Sequence, residues 1–318
     1  MQITFLDGYT INPGDLTWEP LKQLGEFTCF DRTAPADVLN RAAGVDVLIV
    51  NKTALGREHF AHLPQLKLVC VAATGYDKVD VKAAEEYGVT VCNCVGYSTP
   101  CVAQMVVSLL LEVADGVGEY AKVNREGAWS RSPDFCYTLF PRLELAARRV
   151  AIVGLGHIGS AVASVLNALG MKVFAVTRKP ADALPSFVEK LSLSEAFATC
   201  DVVSLNCPLT AQNKGFVNAT LLAEAKQGLI LINTARGGLI DEEAVAAALA
   251  DGQLRAYCAD VMTCEPPHAG NPLLSSDKVF LTPHIGWNTP EARKRILSIL
   301  HDNIVAYFAG MPQNVVRL

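Results

Sequence analysis

No CxxC pair occurs among the ten cysteines of this 318-residue chain, and only Cys92 and Cys94 stand close together. Thiols scattered singly argue against a disulfide framework and leave reduced, mostly buried cysteines as the expectation. His59 and His62 lie three apart without an accompanying cluster of carboxylates or cysteines, so no metal site is expected. No apolar run approaches the length of a membrane span, and Asp7 and Gly8 interrupt the amino terminus before a signal-like core develops. The expected location is cytoplasmic. Charge is sparse as well: 19% of residues are charged, the net charge is −5, and the pI is near 5.7. That balance argues against the basic footprint of a nucleic-acid binder, and the run Arg293-Lys294-Arg295 reads as a solvated helix face. There is neither an internal repeat of fixed period nor a low-complexity tract.

What the chain does have is apolar material, 51% of it, over a length that suggests about two domains. Arg149 to Lys179 is the stretch the rest is arranged around. Val150-Ala151-Ile152-Val153 is a short apolar run of the kind buried in a parallel sheet, and Gly154-Leu155-Gly156-His157-Ile158-Gly159 follows at once. Beyond it Ala161, Val162, Val165, Leu166 and Leu169 recur at helical spacing, Gly170 offers a left-handed stop, and Lys172 to Val176 is again extended. The unit is βαβ with GxGxxG at its turn. Gly154 then serves the tight turn, Gly156 the approach of a pyrophosphate, and Gly159 the packing of helix on strand, with the phosphate at the helix's positive end beside His157 and Ile158.

The residue after the second strand discriminates between dinucleotides. An NAD-preferring site usually places an acid there, whereas this chain has Thr177 followed by Arg178 and Lys179. Two cations beside a hydroxyl would attract a ribose 2′-phosphate, so the cofactor is NAD or NADP with NADP favoured. The competing reading is a solvated turn with ordinary surface charge.

Before this unit, Ile3 to Leu6, Phe27 to Phe30, Val45 to Val50, Leu66 to Ala72 and Val89 to Cys92 look like strands. Helices are expected from Pro35 to Ala43, Arg57 to Leu63 and Asp80 to Tyr87, which makes the first part a flavodoxin-like parallel sheet. Ligands sit at the carboxyl ends of such strands, where this chain has Lys52 and the turn around Thr74 and Gly75. Lys52 could meet an acidic substrate and the turn amides could hold a carboxylate; each is equally well a capped turn. Tyr97 to Pro100 reads as a hinge, Cys101 to Glu112 as a dense apolar helix, and Val113 to Trp129 as its extension. Phe135, Tyr137 and Phe140 in the irregular stretch after it suggest a subunit contact. After the glycine unit, Asp201 to Leu205, Leu229 to Ile232, Tyr257 to Val261 and Val279 to Leu281 extend a doubly wound sheet, with a helix from Glu242 to Ala250 capped by Asp241. Thr289 to Phe308 is a long amphipathic segment that could cross back to the first domain. The expected boundaries are 1–99 plus 288–318 for a substrate domain and 100–287 for a Rossmann domain.

Three further stretches stand in order after the glycine turn: Asn233-Thr234-Ala235-Arg236-Gly237-Gly238, Asp260 to Pro267, and Thr282-Pro283-His284-Ile285-Gly286-Trp287. With the glycine turn, and with Val102-Ala103-Gln104 and Gly127-Ala128-Trp129 before it, the chain resembles the D-isomer-specific 2-hydroxyacid dehydrogenase family over nearly its whole length. Asn51-Lys52-Thr53 and His284 to Thr289 look most like the glycerate dehydrogenase (hydroxypyruvate reductase) branch. Thr177, where many members have Asp, and Asn206, where a His is common, depart from the pattern.

The chemistry can also be argued from the residues. Reducing a 2-oxo acid needs a clamp for the carboxylate, a proton donor for the carbonyl oxygen, and a hydride source. Arg236 suits the first with its planar fork, although it could instead bind a cofactor phosphate. His284 suits the second, and Glu265 on its other ring nitrogen would favour the imidazolium. Taken alone, Glu265 is a loop carboxylate and His284 a surface turn. The resemblance further implies that Asp260 contacts the nicotinamide carboxamide, that Thr234 and Ala235 line the nicotinamide pocket, and that Cys207, Pro208 and Leu209 flank the adenosine and phosphates. It implies a homodimer as well. Asp260 reads equally as a strand-end cap. The expected reaction is hydroxypyruvate to D-glycerate with NAD(P)H; the alternatives are glyoxylate or another D-2-hydroxyacid, or a dinucleotide-sensing corepressor-like scaffold.

Overall fold

The computed structural model describes residues 1–317. The chain folds as two compact units, one of Met1–Ser98 with the chain from Trp287 onward, the other of Thr99–Gly286. In the first unit, β1 (Gln2–Phe5), α1 (Glu19–Lys22), β2 (Glu26–Cys29), α2 (Val38–Arg41), β3 (Val47–Val50), α3 (Arg57–Ala61), β4 (Leu68–Val71), α4 (Val81–Glu86) and β5 (Thr90–Asn93) follow one another. The strands form one sheet in the order β2-β1-β3-β4-β5, with every neighbouring pair parallel. This is the flavodoxin-like order that alternating apolar runs and helices imply. Every residue of β3 and β4 is buried, which explains why these strands read as unbroken apolar runs and not as alternating ones. Asp80 caps α4 by accepting from Ala83 N at 2.9 Å, and Gly88, at φ +73°, ends the turn beyond it.

The second unit begins with α5 (Thr99–Asp115) and α6 (Val117–Arg125), which do not form the continuous helix expected through Trp129. Gly116 between them is left-handed at φ +59°, and the two helix axes differ by 58°. A Cβ at Gly116 would lie 2.0 Å from the Phe140 ring, so an aromatic from the following irregular segment fills the bend. No single helix among the described residues is long and apolar enough to cross a membrane.

The remainder of the unit runs β6 (Arg149–Val153), α7 (His157–Ala168), β7 (Lys172–Val176), β8 (Val188–Lys190), α8 (Leu193–Thr199), β9 (Val202–Leu205), α9 (Ala219–Ala223), β10 (Leu229–Asn233), α10 (Glu242–Ala250), β11 (Leu254–Ala259) and β12 (Val279–Leu281). Seven parallel strands take the order β12-β11-β10-β9-β6-β7-β8, the doubly wound Rossmann arrangement with its topological switch between β6 and β9. Alternate residues of the strands enter two cores. Ala151, Val203, Leu231 and Tyr257 pack on one face with α8, α9 and α10, while Val150, Val202, Ile230 and Ala256 pack on the other with α5 and α7. Each fully buried Val, Leu or Ile contributes roughly 1.5–3 kcal/mol, so the two cores hold the strand ends rigid. Among the strands, the short edge strand β8 alone has no counterpart in the sequence reading. It pairs over Val173 to Ala175, with two of its three residues exposed, and so lacks an apolar signature.

The last helix, α11 (Pro290–Phe308), belongs to the first unit and packs on α1 and β4. Thr289 caps it by accepting from Ala292 N at 3.2 Å, with Pro290 at its first position. Its buried stripe is Ala292, Arg293, Ile296, Leu297, Leu300, Asn303 and Ile304, which corrects the reading of Arg293-Lys294-Arg295 as a solvated face. Arg293 is only 6% exposed and donates to both oxygens of Asp15 at 2.6 Å and to Ile11 O at 3.2 Å. Arg295 Nε donates to Tyr97 O at 2.7 Å, and Lys294 is the exposed member. A helical step of 100° carries residue 293 onto the face that Ala292 and Ile296 bury. Its charge is tolerated there because the fork is fully engaged.

Candidate active site

Gly154, directly after β6, is left-handed at φ +96°, and a Cβ there would lie 2.8 Å from the backbone of Asn206 and Cys207. The loop after β9 therefore closes against the glycine turn at the switch point. Gly159 faces a tighter limit, since its Cβ would sit 2.1 Å from Gly154 O and 3.1 Å from Ile152 Cγ2, so helix and strand pack through its missing side chain. Gly156 is different. It opens α7 from an ordinary extended conformation, and a Cβ there would meet no protein atom within 4 Å. No side chain caps this helix start, which begins with His157 and Ile158. Open space over a helix amino end is what a pyrophosphate requires.

At the far end of βαβ, Thr177 is half-buried and Arg178 and Lys179 are exposed. Thr177 Oγ1 accepts from Lys179 N at 3.2 Å, which folds the turn, and Lys190 Nζ donates to Lys179 O at 2.7 Å. Asn206 donates to Ser204 O and Oγ at 3.0 Å each, while its own Oδ1 is buried without a partner. In the following loop Asn213 Nδ2 donates to Pro208 O, and its Oδ1 accepts from Thr210 N at 2.7 Å.

Three neighbouring strand ends carry the remaining candidate residues. Asn233, wholly buried at the end of β10, accepts from Ala235 N at 3.1 Å and donates to Arg236 O at 3.0 Å. These bonds wrap the turn through Thr234 and Ala235 that presents Arg236, whose Nη1 donates to Ala235 O at 2.7 Å. After β11 comes Asp260, 3% exposed, whose oxygens accept from Thr282 Oγ1 at 2.5 Å, Ile285 N at 2.8 Å and Gly286 N at 2.7 Å. The carboxylate thus clasps the loop after β12 on both sides of His284, which sits at a left-handed φ of +55°. Glu265 Oε2 is 2.7 Å from His284 Nδ1, and Glu265 Oε1 accepts from Met262 N at 3.0 Å. Gly237 brings the first loop against the second, since a Cβ there would stand 2.0 Å from Met262 C and 2.2 Å from Thr263 N.

Residues 107–286 match the family described as D-isomer specific 2-hydroxyacid dehydrogenase, NAD binding domain. The chain is 40% identical to a hydroxypyruvate reductase of Blautia hydrogenotrophica, over 100% of both chains.

This chain belongs to the D-isomer specific 2-hydroxyacid dehydrogenase family.

It is also 36% identical to a glycerate dehydrogenase of Methylorubrum extorquens, over 99% of each chain. Among solved structures, an acyclic imino acid reductase in complex with NADPH and D-Arg superposes with a TM-score of 0.86 at 29% identity, over 100% of both chains. As a family member the chain is an NAD(P)-dependent oxidoreductase of small hydroxy acids, and the glycine turn described above fits such a dinucleotide on its own geometry.

The substrate-side candidates expected from strand position lie at strand ends of the first unit. Asp7, absent from the sequence reading of the site, accepts from three successive amides, Asn51 N at 2.7 Å, Lys52 N at 2.5 Å and Thr53 N at 2.7 Å. It fixes the turn from which the exposed Lys52 projects. In the neighbouring turn after β4, Thr74 Oγ1 donates to Cys94 O at 2.9 Å and Asn93 Nδ2 donates to Thr74 O at 2.7 Å, which secures the backbone leading to Gly75. Asp7 carries no motif of its own: it acts on a loop brought near by the sheet, more than forty residues on, so nothing in local spacing marks it.

Proposed function

We propose that this chain reduces hydroxypyruvate to D-glycerate, with His284 as proton donor, Arg236 as carboxylate clamp and Glu265 as the partner that orients and charge-balances the imidazole. The observation that carries this reading is the 2.7 Å contact between Glu265 Oε2 and His284 Nδ1. With Nδ1 committed to a carboxylate, Nε2 is the ring nitrogen left to face a reacting oxygen, and proton delivery from it is worth roughly 10²–10⁴ in rate. Arg236 offers a rigid fork that can grip a carboxylate and polarise the adjacent carbonyl. The nicotinamide cofactor, when bound, supplies the hydride. Gly154, Gly156, His157, Ile158 and Gly159 would hold its pyrophosphate, with Cys207 and Pro208 along the adenosine side, and Thr234, Ala235 and Asp260 near the nicotinamide. Lys52 and the amides of Thr74 and Gly75 would be substrate contacts on the first unit, which would be the substrate domain, with the second unit as the cofactor domain.

Hydroxypyruvate is favoured because the full-length relatives described above carry the names hydroxypyruvate reductase and glycerate dehydrogenase. NADPH is favoured because Thr177, Arg178 and Lys179 put no acid against a 2′-phosphate, and a structural relative was solved with NADPH. Val117, Trp129, Phe135 and Leu139, between 41% and 89% exposed, support a homodimer formed through this surface. Ten cysteines scattered singly, without a CxxC pair, fit a reducing, cytoplasmic setting. A spectrophotometric screen crossing NADH and NADPH with hydroxypyruvate, glyoxylate and pyruvate tests the whole proposal. The highest kcat/KM is expected for NADPH with hydroxypyruvate; a clear preference for either other acid would replace the substrate, and no turnover of any would remove the enzyme reading.

A further inference from the structure

We infer that Glu242 is a positioning residue for the reaction, holding the loop that presents Glu265 to His284; this rests on the roles proposed above for that pair. Glu242 is the first residue of α10, where an acid is ordinarily explained by the helix dipole. Capping, however, is done by its neighbour: Asp241 Oδ1 accepts from Glu243 N at 3.1 Å and Ala244 N at 3.2 Å. Glu242 sends both oxygens elsewhere. Oε1 accepts from Thr263 N at 2.8 Å, twenty-one residues on, and Oε2 accepts from Asn271 Nδ2 at 2.6 Å, twenty-nine residues on.

Those two partners bracket an irregular, largely exposed loop with Glu265 near its first end. Within the loop, short-range ties run from Met262 N to Glu265, from Cys264 Sγ to Pro266 O and from Asn271 N to His268 O, and Glu265 itself reaches out to His284. Such a segment has little apolar burial to fix it, so its position depends on the few bonds that reach back to the sheet and helices. One carboxylate supplies two of them. The peptide it grips is the same Met262–Thr263 unit that Gly237 abuts, so Glu242 joins the loop of Arg236 to the loop of Glu265. Its charge-assisted bonds keep the two loops in register, and a shift of about 1 Å at a catalytic group can cost on the order of 10²-fold in rate.

The test is a double-mutant cycle between Glu242→Ala and Glu265→Gln, read as kcat on hydroxypyruvate, the pH profile of kcat/KM, and the NADPH dissociation constant by fluorescence. Glu242→Ala should lower kcat about 10- to 100-fold, displace the pH inflection in the same direction as Glu265→Gln, and leave NADPH affinity within about twofold. In the Glu265→Gln background it should have almost no further effect, because its action passes through Glu265. Glu242→Gln, which can still accept from Thr263 N, should recover part of the loss. Should Glu242→Ala fail to fold, Asn271→Ala removes one of the two ties and should give a smaller loss of the same kind. Unchanged kcat and pH profile, or losses that simply multiply in the double variant, would overturn the inference alone. Full activity in both Glu265→Gln and His284→Ala would instead remove the proposed site on which it rests.

Discussion

Glu265 uses its two oxygens for two partners, one on His284 Nδ1 and one on Met262 N, and this division makes a loop carboxylate into a directed group. Arg236 is handled in a similar way, with Nη1 tied to Ala235 O and its turn wound around the buried Asn233. Replacing Arg236 by Lys keeps the charge and discards the planar fork, so kcat/KM for hydroxypyruvate should fall by roughly 10²-fold or more, mainly through transition-state binding; unchanged efficiency would take Arg236 out of the site. Thr177→Asp places a carboxylate where a 2′-phosphate would lie, and the ratio of kcat/KM for NADPH over NADH should drop by about tenfold or more. At this scale the motif residues were legible because glycine, arginine, glutamate and histidine stand in a fixed order after strand ends. Asp7 and Glu242 were not. Their partners are remote in sequence, and that leaves no pattern in composition or spacing.

Among the elements, the βαβ unit was legible in full, since a buried parallel strand, a glycine turn and an amphipathic helix each have a distinct signature. Gly159 is the tightest point in it. A Cβ 2.1 Å from a carbonyl oxygen cannot be relieved by turning a side chain, so Gly159→Ala should destabilise the protein by about 1–3 kcal/mol and weaken dinucleotide binding, measurable as a lower Tm with and without NADPH. Helix ends were harder to read: the apolar pattern runs on past Gly116, and the chain bends there because Gly116 turns left-handed with the ring of Phe140 packed against it. The Arg293 run shows the opposite error, in which charge suggested solvent although the helix face is buried and the fork is paired with Asp15.

The sheet's other end offers a test of the electrostatics. Burial of Asp201, 15% exposed, works to raise its pKa, but hydrogen bonds from Lys226 and Arg149 N and the charge of Arg148 outweigh that and hold it below the ordinary 3.8. A depressed folded value means that the stabilisation is complete above the ordinary value and is lost as pH falls through the lower one. Asp201→Asn should therefore lower stability near neutrality by about 1–2 kcal/mol, read as a lower Tm, and flatten the decline of Tm below about pH 4. A variant with the wild-type acid profile would show that the pair contributes little.

For the molecule as a whole, strand order in both units followed from the alternation of apolar runs and helices, because crossover handedness leaves few parallel arrangements. Composition spoke to what the chain avoids and motif order to its family. The substrate is less visible, since in the proposed reading it would be met by a few side chains such as Lys52, on a turn whose shape is set by Asp7. The exposed Trp129 and Phe135 should place the protein at dimer mass in light scattering, and Phe135→Ser should weaken that association. The central claim is that a carboxylate-held imidazole moves the proton. His284→Ala, assayed with saturating NADPH and hydroxypyruvate, measures this most directly: kcat should fall by roughly 10²–10⁴ with NADPH affinity nearly unchanged, and a variant that turned over at the wild-type rate, or lost affinity as much as rate, would contradict it.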